Sequence, residues 1–113
     1  MHELSIAMAI AKTVLSTAEE YQVTKIAKVT IEVGEIADIL PGYLKSCWPA
    51  ATHDTILKDT ELEIIMVNGM IQCPKCGKIY RFLEHSHGCP ECGSTRKQVL
   101  SGRGLNIKDI VAC

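Results

Sequence analysis

The chain has 113 residues, of which 47% are apolar and only 4% aromatic, with a net charge of −1. That length bounds the fold to one small domain, or a small domain carrying a metal-clamped module, with a core built from aliphatic side chains. No apolar run approaches the length of a membrane span, and the near-neutral balance excludes a globally basic, nucleic-acid-coating chain.

The first predicted element is an amphipathic helix over residues 4–21. Leu4, Ala7, Met8, Ala11, Val14, Leu15 and Ala18 recur at three- and four-residue spacing, and Lys12, Thr13, Ser16, Glu19 and Glu20 fall mostly outside that stripe. Residues 26–33 alternate, with Ala27, Val29, Ile31 and Val33 on one side and Lys28, Thr30 and Glu32 on the other, so a half-buried strand ended by Gly34 is expected. A second helix begins near Pro41 and includes Tyr43, Leu44, Cys47 and Trp48. Pro49 removes a backbone donor, so this helix is expected to kink or end there. Leu62, Ile64 and Met66 mark a second strand with Glu61 and Glu63 on its other face, broken by Asn68-Gly69. Leu105 to Val111 form the last strand.

Between the second and last strands stand two knuckles, Cys73-Pro-Lys-Cys76-Gly77 and Cys89-Pro-Glu-Cys92-Gly93, with twelve residues between Cys76 and Cys89. Each C-x2-C pair puts two sulfurs on one tight turn, and two facing turns complete a thiolate tetrahedron, the closed arrangement preferred by structural zinc. The proline presets the turn and the trailing glycine supplies the reversal. Iron in a rubredoxin-like site, or two disulfides, are the alternatives. The N-terminus Met1-His2-Glu3-Leu4 has no signal-like basic and apolar regions, so a cytoplasmic chain with reduced cysteines is expected. Four thiolates leave no open coordination position, so the knuckles are expected to be architectural and the function to lie elsewhere. With no Ser/His/Asp arrangement, phosphate-binding glycine loop or paired catalytic carboxylates to be argued from the sequence, the chain is expected not to be an enzyme.

The order helix, strand, helix, strand, metal module, strand predicts an α+β fold, a two-layer α/β body. Its three-stranded sheet carries two helices on one face, with a zinc-ribbon-like module of four cysteines inserted before the last strand. Residues 1–69 and 104–113 then form one domain and residues 70–103 the zinc-binding domain. Charge divides along the same line: residues 1–69 hold five lysines against ten carboxylates, and residues 70–103 hold six basic residues against two. A divalent ion in four thiolates adds a charge of about −2, leaving the module only mildly basic and better suited to a protein partner than to nucleic acid.

His2 places an imidazole beside the α-amine and the first backbone amides. Amine, deprotonated amide and imidazole nitrogens form fused chelate rings that favour planar Ni(II) or Cu(II) over zinc. His2 is not small, so Met1 is expected to be retained. Taken alone, a histidine at this position is more often a solvated residue on a fraying terminus. Asp38, His85 and His87 are further candidates for completing such a site, with Asp38 more readily read as a helix cap. Cys47 reads as a small buried hydrophobe, and Cys113 as an exposed thiol.

Several segments occur in a fixed order: Met1-His2-Glu3-Leu4-Ser5-Ile6, then Glu32-Val33-Gly34-Glu35, then Glu61-Leu62-Glu63-Ile64. The two Cys-Pro-x-Cys-Gly knuckles, Ser94, and Gly104-Leu105-Asn106-Ile107-Lys108-Asp109-Ile110 follow. With these, the chain resembles the HypA/HybF family of hydrogenase nickel-incorporation proteins. The resemblance implies a nickel metallochaperone serving the large subunit of a [NiFe] hydrogenase, together with a nickel-insertion GTPase. It places transported Ni(II) on Met1, His2 and Glu3, and structural Zn(II) on Cys73, Cys76, Cys89 and Cys92. No nucleic-acid or membrane partner is expected. The histidines that flank the knuckle cysteines in some relatives are replaced here by Gly77-Lys78 and Gly93, so pH-responsive zinc coordination is not carried over. The alternatives are a zinc-ribbon interaction module that binds protein or nucleic acid through Lys75, Lys78, Arg81, Arg96 and Lys97, and a rubredoxin-like electron carrier.

Overall fold

The computed structural model describes residues 2–113. The elements are α1 (Glu3–Glu20), β1 (Ile26–Gly34), α2 (Pro41–Thr52), β2 (Glu61–Val67), β3 (Met70–Gln72), β4 (Ile79–Arg81), a single 3-10 turn (Phe82–Glu84), β5 (Gln98–Ser101) and β6 (Leu105–Ala112). They make two three-stranded sheets, ordered β2-β1-β6 and β4-β3-β5. The last strand returns beside the first, so β3, β4 and β5 form an insertion in an α+β body. Among the described residues no helix is long and apolar enough to cross a membrane.

The chain condenses into two compact units. The first comprises residues up to Glu32, Ile39–Ile65 and Asn106–Cys113. Its two helices pack on each other. Ala7, Ile10, Ala11, Val14 and Ala18 of α1 are buried, as are Leu44, Cys47 and Trp48 of α2 and Ile26, Val29 and Ile31 of β1. Of the expected helical stripe, Ala7, Ala11, Val14 and Ala18 are buried, but Leu4 and Met8 are exposed and Leu15 is half-buried, while Ile10, outside the stripe, joins the core. Two buried hydrogen bonds tie its base together. The Trp48 indole donates to the Thr60 carbonyl at 2.9 Å, and the Thr60 hydroxyl donates to the Ile26 carbonyl at 2.7 Å.

Two local expectations are adjusted here. Of the two outcomes expected at Pro49, a kink or an end, the end does not occur: helix α2 runs three residues further, to Thr52. Proline forfeits its own bond to the carbonyl four residues back and crowds that carbonyl, but leaves the bonds of the residues after it available. The last turn is held independently by Thr52 Oγ1 donating to the Trp48 carbonyl at 2.9 Å and by His53 N–H donating to the Pro49 carbonyl at 3.0 Å. At the start of β1, Ala27 is exposed and Ile26 is buried, and Thr30, expected on the outer side, is buried as well, so the alternation shows only over Ile31, Glu32 and Val33. Ile26 offers far more apolar surface for burial than Ala27 does.

The second unit comprises Val33–Asp38 and Met66–Leu105. Strand β3 is central and antiparallel to both neighbours, with Ile71 opposite Tyr80 of β4 and opposite Val99 of β5. These three side chains share one face of the sheet. A buried cluster of Ile71, Cys73, Tyr80 and Cys89 lies there, with Ile36, Phe82 and Val99 packed against it. The segment that follows β1 is woven into this unit. Gly34 N–H donates to the Gly104 carbonyl and Ile36 N–H to the Gly102 carbonyl, each at 2.8 Å. A Cβ at Gly34 would collide with the Gly102 carbonyl, which is why this crossing requires glycine.

Candidate metal centres

The two knuckles fold as copies of one turn. In the first, Cys73 N–H donates to the Lys78 carbonyl and Gly77 N–H to the Cys73 carbonyl, both at 2.8 Å. In the second, Cys89 N–H donates to the Ser94 carbonyl and Gly93 N–H to the Cys89 carbonyl, both at 2.9 Å. Gly77 and Gly93 take φ of 81° and 75°, the left-handed conformation that a side chain disfavours. Each turn closes on itself and aims its two sulfurs at the other.

The Sγ atoms of Cys73, Cys76, Cys89 and Cys92 all lie within 4.8 Å of one another. Across the two knuckles, Cys73 to Cys92 is 3.6 Å and Cys76 to Cys89 is 3.5 Å. A tetrahedron with metal–sulfur bonds of about 2.3 Å has sulfur–sulfur edges of about 3.8 Å, so the cluster fits zinc with little adjustment. Cys73 and Cys89 are buried, while Cys76 and Cys92 reach the surface.

The electrostatics of the thiols point the same way. The Cys73 thiol is pulled down to about 6, first by the Cys76 backbone N–H, against burial, with help from the Lys75 N–H. Burial opposes ionisation of Cys89, yet the N–H groups of Cys92 and Glu91 bring its pKa below the ordinary thiol value. The Lys78 N–H favours a thiolate at Cys76, but the neighbouring sulfurs, Cys89 foremost, and burial push it up to about 12. The knuckle amides thus favour negative charge on Cys73 and Cys89, while the neighbouring sulfurs oppose it on Cys76. A divalent cation removes that conflict and displaces the remaining protons. Among the described residues this is the one group of three or more His, Cys, Asp or Glu side chains gathered closely enough for an ion.

The expected N-terminal site is placed less completely. Met1 lies outside the described residues. His2 is the N-cap residue of α1, with an exposed side chain and no side-chain capping bond. Its carbonyl accepts from Ile6 N–H at 2.9 Å and from the Ser5 hydroxyl at 2.8 Å. The helix ladder therefore begins at Ile6 and does not use the amides of His2 and Glu3.

Glu3 differs from a solvated terminal residue. It is only 3% exposed, and its Oε2 accepts from Leu40 N–H at 3.1 Å. That bond holds its carboxyl below the usual range against the cost of burial, with smaller help from its own amide and from His2. Leu40 is the N-cap of α2 and carries no side-chain cap, so Glu3 binds the backbone donor at the entrance of that helix.

The other candidates do not gather into a second cluster. Asp38 takes a left-handed φ of 58°, and Leu40, rather than Asp38, occupies the cap position of α2. His85 is half-buried with its ring edge-on to Tyr80 at 6.1 Å, and His87 is exposed; neither belongs to the thiol group. Cys47 is buried in α2, and Cys113 is exposed. Sequence reasoning missed Glu35, whose carboxylate is 9% exposed and accepts from Gly69 N–H at 2.9 Å and from Arg81 Nε at 3.1 Å. The second Arg81 nitrogen also bonds it, making a two-pronged clasp. No local pattern announces that partnership.

Comparison with known proteins adds a whole-chain signal. A family model described as "Hydrogenase/urease nickel incorporation, metallochaperone, hypA" matches residues 1–112. The chain is 36% identical over 110 residues to the hydrogenase maturation factor HypA of Chlorobium phaeobacteroides, covering 97% of both chains. It is 31% identical over 110 residues to the hydrogenase maturation factor HybF of Klebsiella pneumoniae, again over 97% of both. In fold it is similar to the solution structure of the Ni metallochaperone HypA from Helicobacter pylori. That likeness has a TM-score of 0.71 at 20% identity and covers 99% of this chain and 97% of the other.

Proposed function

The chain belongs to the HypA family of nickel-incorporation metallochaperones, and on that premise we propose that it carries Ni(II) on Met1, His2 and Glu3. The destination is the large subunit of a [NiFe] hydrogenase during maturation. The observation that carries this reading is the family match over residues 1–112, which includes the N-terminus as well as the knuckles.

The geometry supports it from below. A nickel carrier has to hold its ion selectively and release it to a partner. Nitrogen donors from a terminal amine, an amide and an imidazole give planar selectivity. Because α1 starts its ladder at Ile6 N–H, deprotonating an amide at the front of the helix breaks no helical hydrogen bond. A cation on the Glu3 nitrogen also sits close to the buried Glu3 carboxylate, whose charge it offsets. Proton competition for the amine and imidazole offers a release route.

Zinc in Cys73, Cys76, Cys89 and Cys92 serves as architecture. The thiolates fill its coordination, so no position is left for substrate, and the chain acts as a carrier and not as an enzyme. In functional terms, residues 1–69 and 104–113 form the nickel domain and residues 70–103 the zinc domain, the latter braced by the Val33–Asp38 segment that packs into the zinc-bearing unit. The partners are protein surfaces, those of a nickel-insertion GTPase and of the hydrogenase subunit, in the cytoplasm, with no nucleic-acid or membrane role. The test is nickel titration of the full chain with an unmodified N-terminus. About one Ni(II) per chain is expected, and His2→Ala should abolish it while zinc content and fold stay intact. Wild-type nickel affinity in His2→Ala would remove the proposed site.

A further inference from the structure

The zinc-bearing unit closes around Ile71, Cys73, Tyr80 and Cys89. Ile71 fills space and the two cysteines are ligands. Tyr80 fits neither role fully. It is 4% exposed, and its hydroxyl has no hydrogen-bond partner among the described residues. A buried hydroxyl left unpaired is costly and rare, and an unfilled requirement of this kind points to something the site still has to bind or orient. Phenylalanine would pack the same ring without that cost.

The placement of the ring narrows the answer. The register puts Tyr80 opposite Ile71, so its side chain enters the face that the knuckle cysteines close. His85 covers the ring edge-on at 6.1 Å. Two of the four knuckle cysteines, Cys73 and Cys89, belong to the same buried cluster as the ring.

We propose that Tyr80 is a positioning residue of the metal centre: with an ion bound, its hydroxyl donates a hydrogen bond to a ligand thiolate, that of Cys73 or Cys89. A metal-bound thiolate keeps lone pairs and most of its negative charge, so it is the acceptor that a buried, otherwise unpaired O–H requires. The bond draws charge from the sulfur and makes it a poorer base and nucleophile. The ion then leaves more slowly and the knuckles are less open to alkylation. This inference rests on the cysteine cluster being a metal site.

The probe is cadmium-113, bound by the full chain in place of zinc. In the wild type, a proton–cadmium correlation from the Tyr80 hydroxyl through the sulfur is expected, and it should vanish in Tyr80→Phe as the cadmium resonance moves. Zinc release to a chromogenic chelator should be about tenfold faster in Tyr80→Phe, the lower end of what outer-shell partners contribute. The wild-type correlation decides the matter even if the variant folds poorly. Its absence with one cadmium bound per chain, or an unmoved resonance and unchanged zinc release in Tyr80→Phe, overturns the assignment and leaves the ring as packing alone. Failure to bind cadmium at the cysteines overturns the metal reading along with it.

Discussion

Ile71 gives the most direct measure of how far the metal centre depends on the core beneath it. It is fully buried, pairs with both neighbouring strands, and lies in the same cluster as Cys73 and Cys89. Ile71→Ala removes three carbons from a site walled by strands on both sides, and cavity-forming substitutions of this kind cost about 2–5 kcal/mol. A unit this small has too little core to stand without its ion, so folding and metal binding there are one equilibrium. A loss of about 3 kcal/mol should then appear as roughly a hundredfold weaker apparent zinc affinity, at about 1.4 kcal/mol per tenfold. Ile71→Val, at about 0.5–1.5 kcal/mol, should weaken it only about two- to tenfold. Competition with a chromogenic chelator at fixed pH measures both. Zinc affinity unchanged in Ile71→Ala, with thermal stability lowered, would show that the metal-free unit is already folded and would refute the coupling.

Other consequences follow from the carboxylates and the thiols. Glu35 has its pKa lowered, first by the Arg81 side chain and then by Gly69 N–H, so its contribution is present above the ordinary carboxylate pKa and is lost as pH falls through its own lower value. In acid titrations followed by circular dichroism, Glu35→Gln should be less stable near neutrality and show a shallower loss below about pH 4. Glu3→Gln keeps an oxygen for Leu40 N–H and should retain nickel stoichiometry. Glu3→Ala loses that acceptor and should lower the melting temperature, as scanning calorimetry would show. Cys73→Ser should abolish tight zinc binding in metal analysis, because it removes the thiol that ionises readily at about 6 and the buried corner of the tetrahedron.

The knuckles are legible in the sequence because their chemistry is local: proline, two cysteines and a glycine define a turn within five residues. The return of β6 to the first sheet is legible because a lone strand has no other place to satisfy its backbone. The β4-β3-β5 sheet is not, since strands of three or four residues are too short to show a period of two. The bonds of Glu3 to Leu40 and of Arg81 to Glu35 span 37 and 46 residues, and no window along the chain registers them. Helix α2 outlasts Pro49 because Thr52 and His53 rebuild its final turn, a compensation visible only once the side chains are in place. Tyr80 is one more strand residue by pattern, and only the fold shows its hydroxyl buried without an acceptor among the described residues.

The central claim is that nickel is held by the first residues through the amine as well as the imidazole. The measurement that reaches it most directly is a calorimetric Ni(II) titration of two proteins, the native chain and one whose Met1 α-amine is acetylated. Every side chain survives in the second, and the zinc module is untouched, but the α-nitrogen has become an amide and no longer offers an amine lone pair to the ion. The expected result is about one tightly bound Ni(II) in the native chain and a marked loss of affinity in the acetylated one, with zinc content equal in both. Identical nickel isotherms for the two proteins would contradict the account.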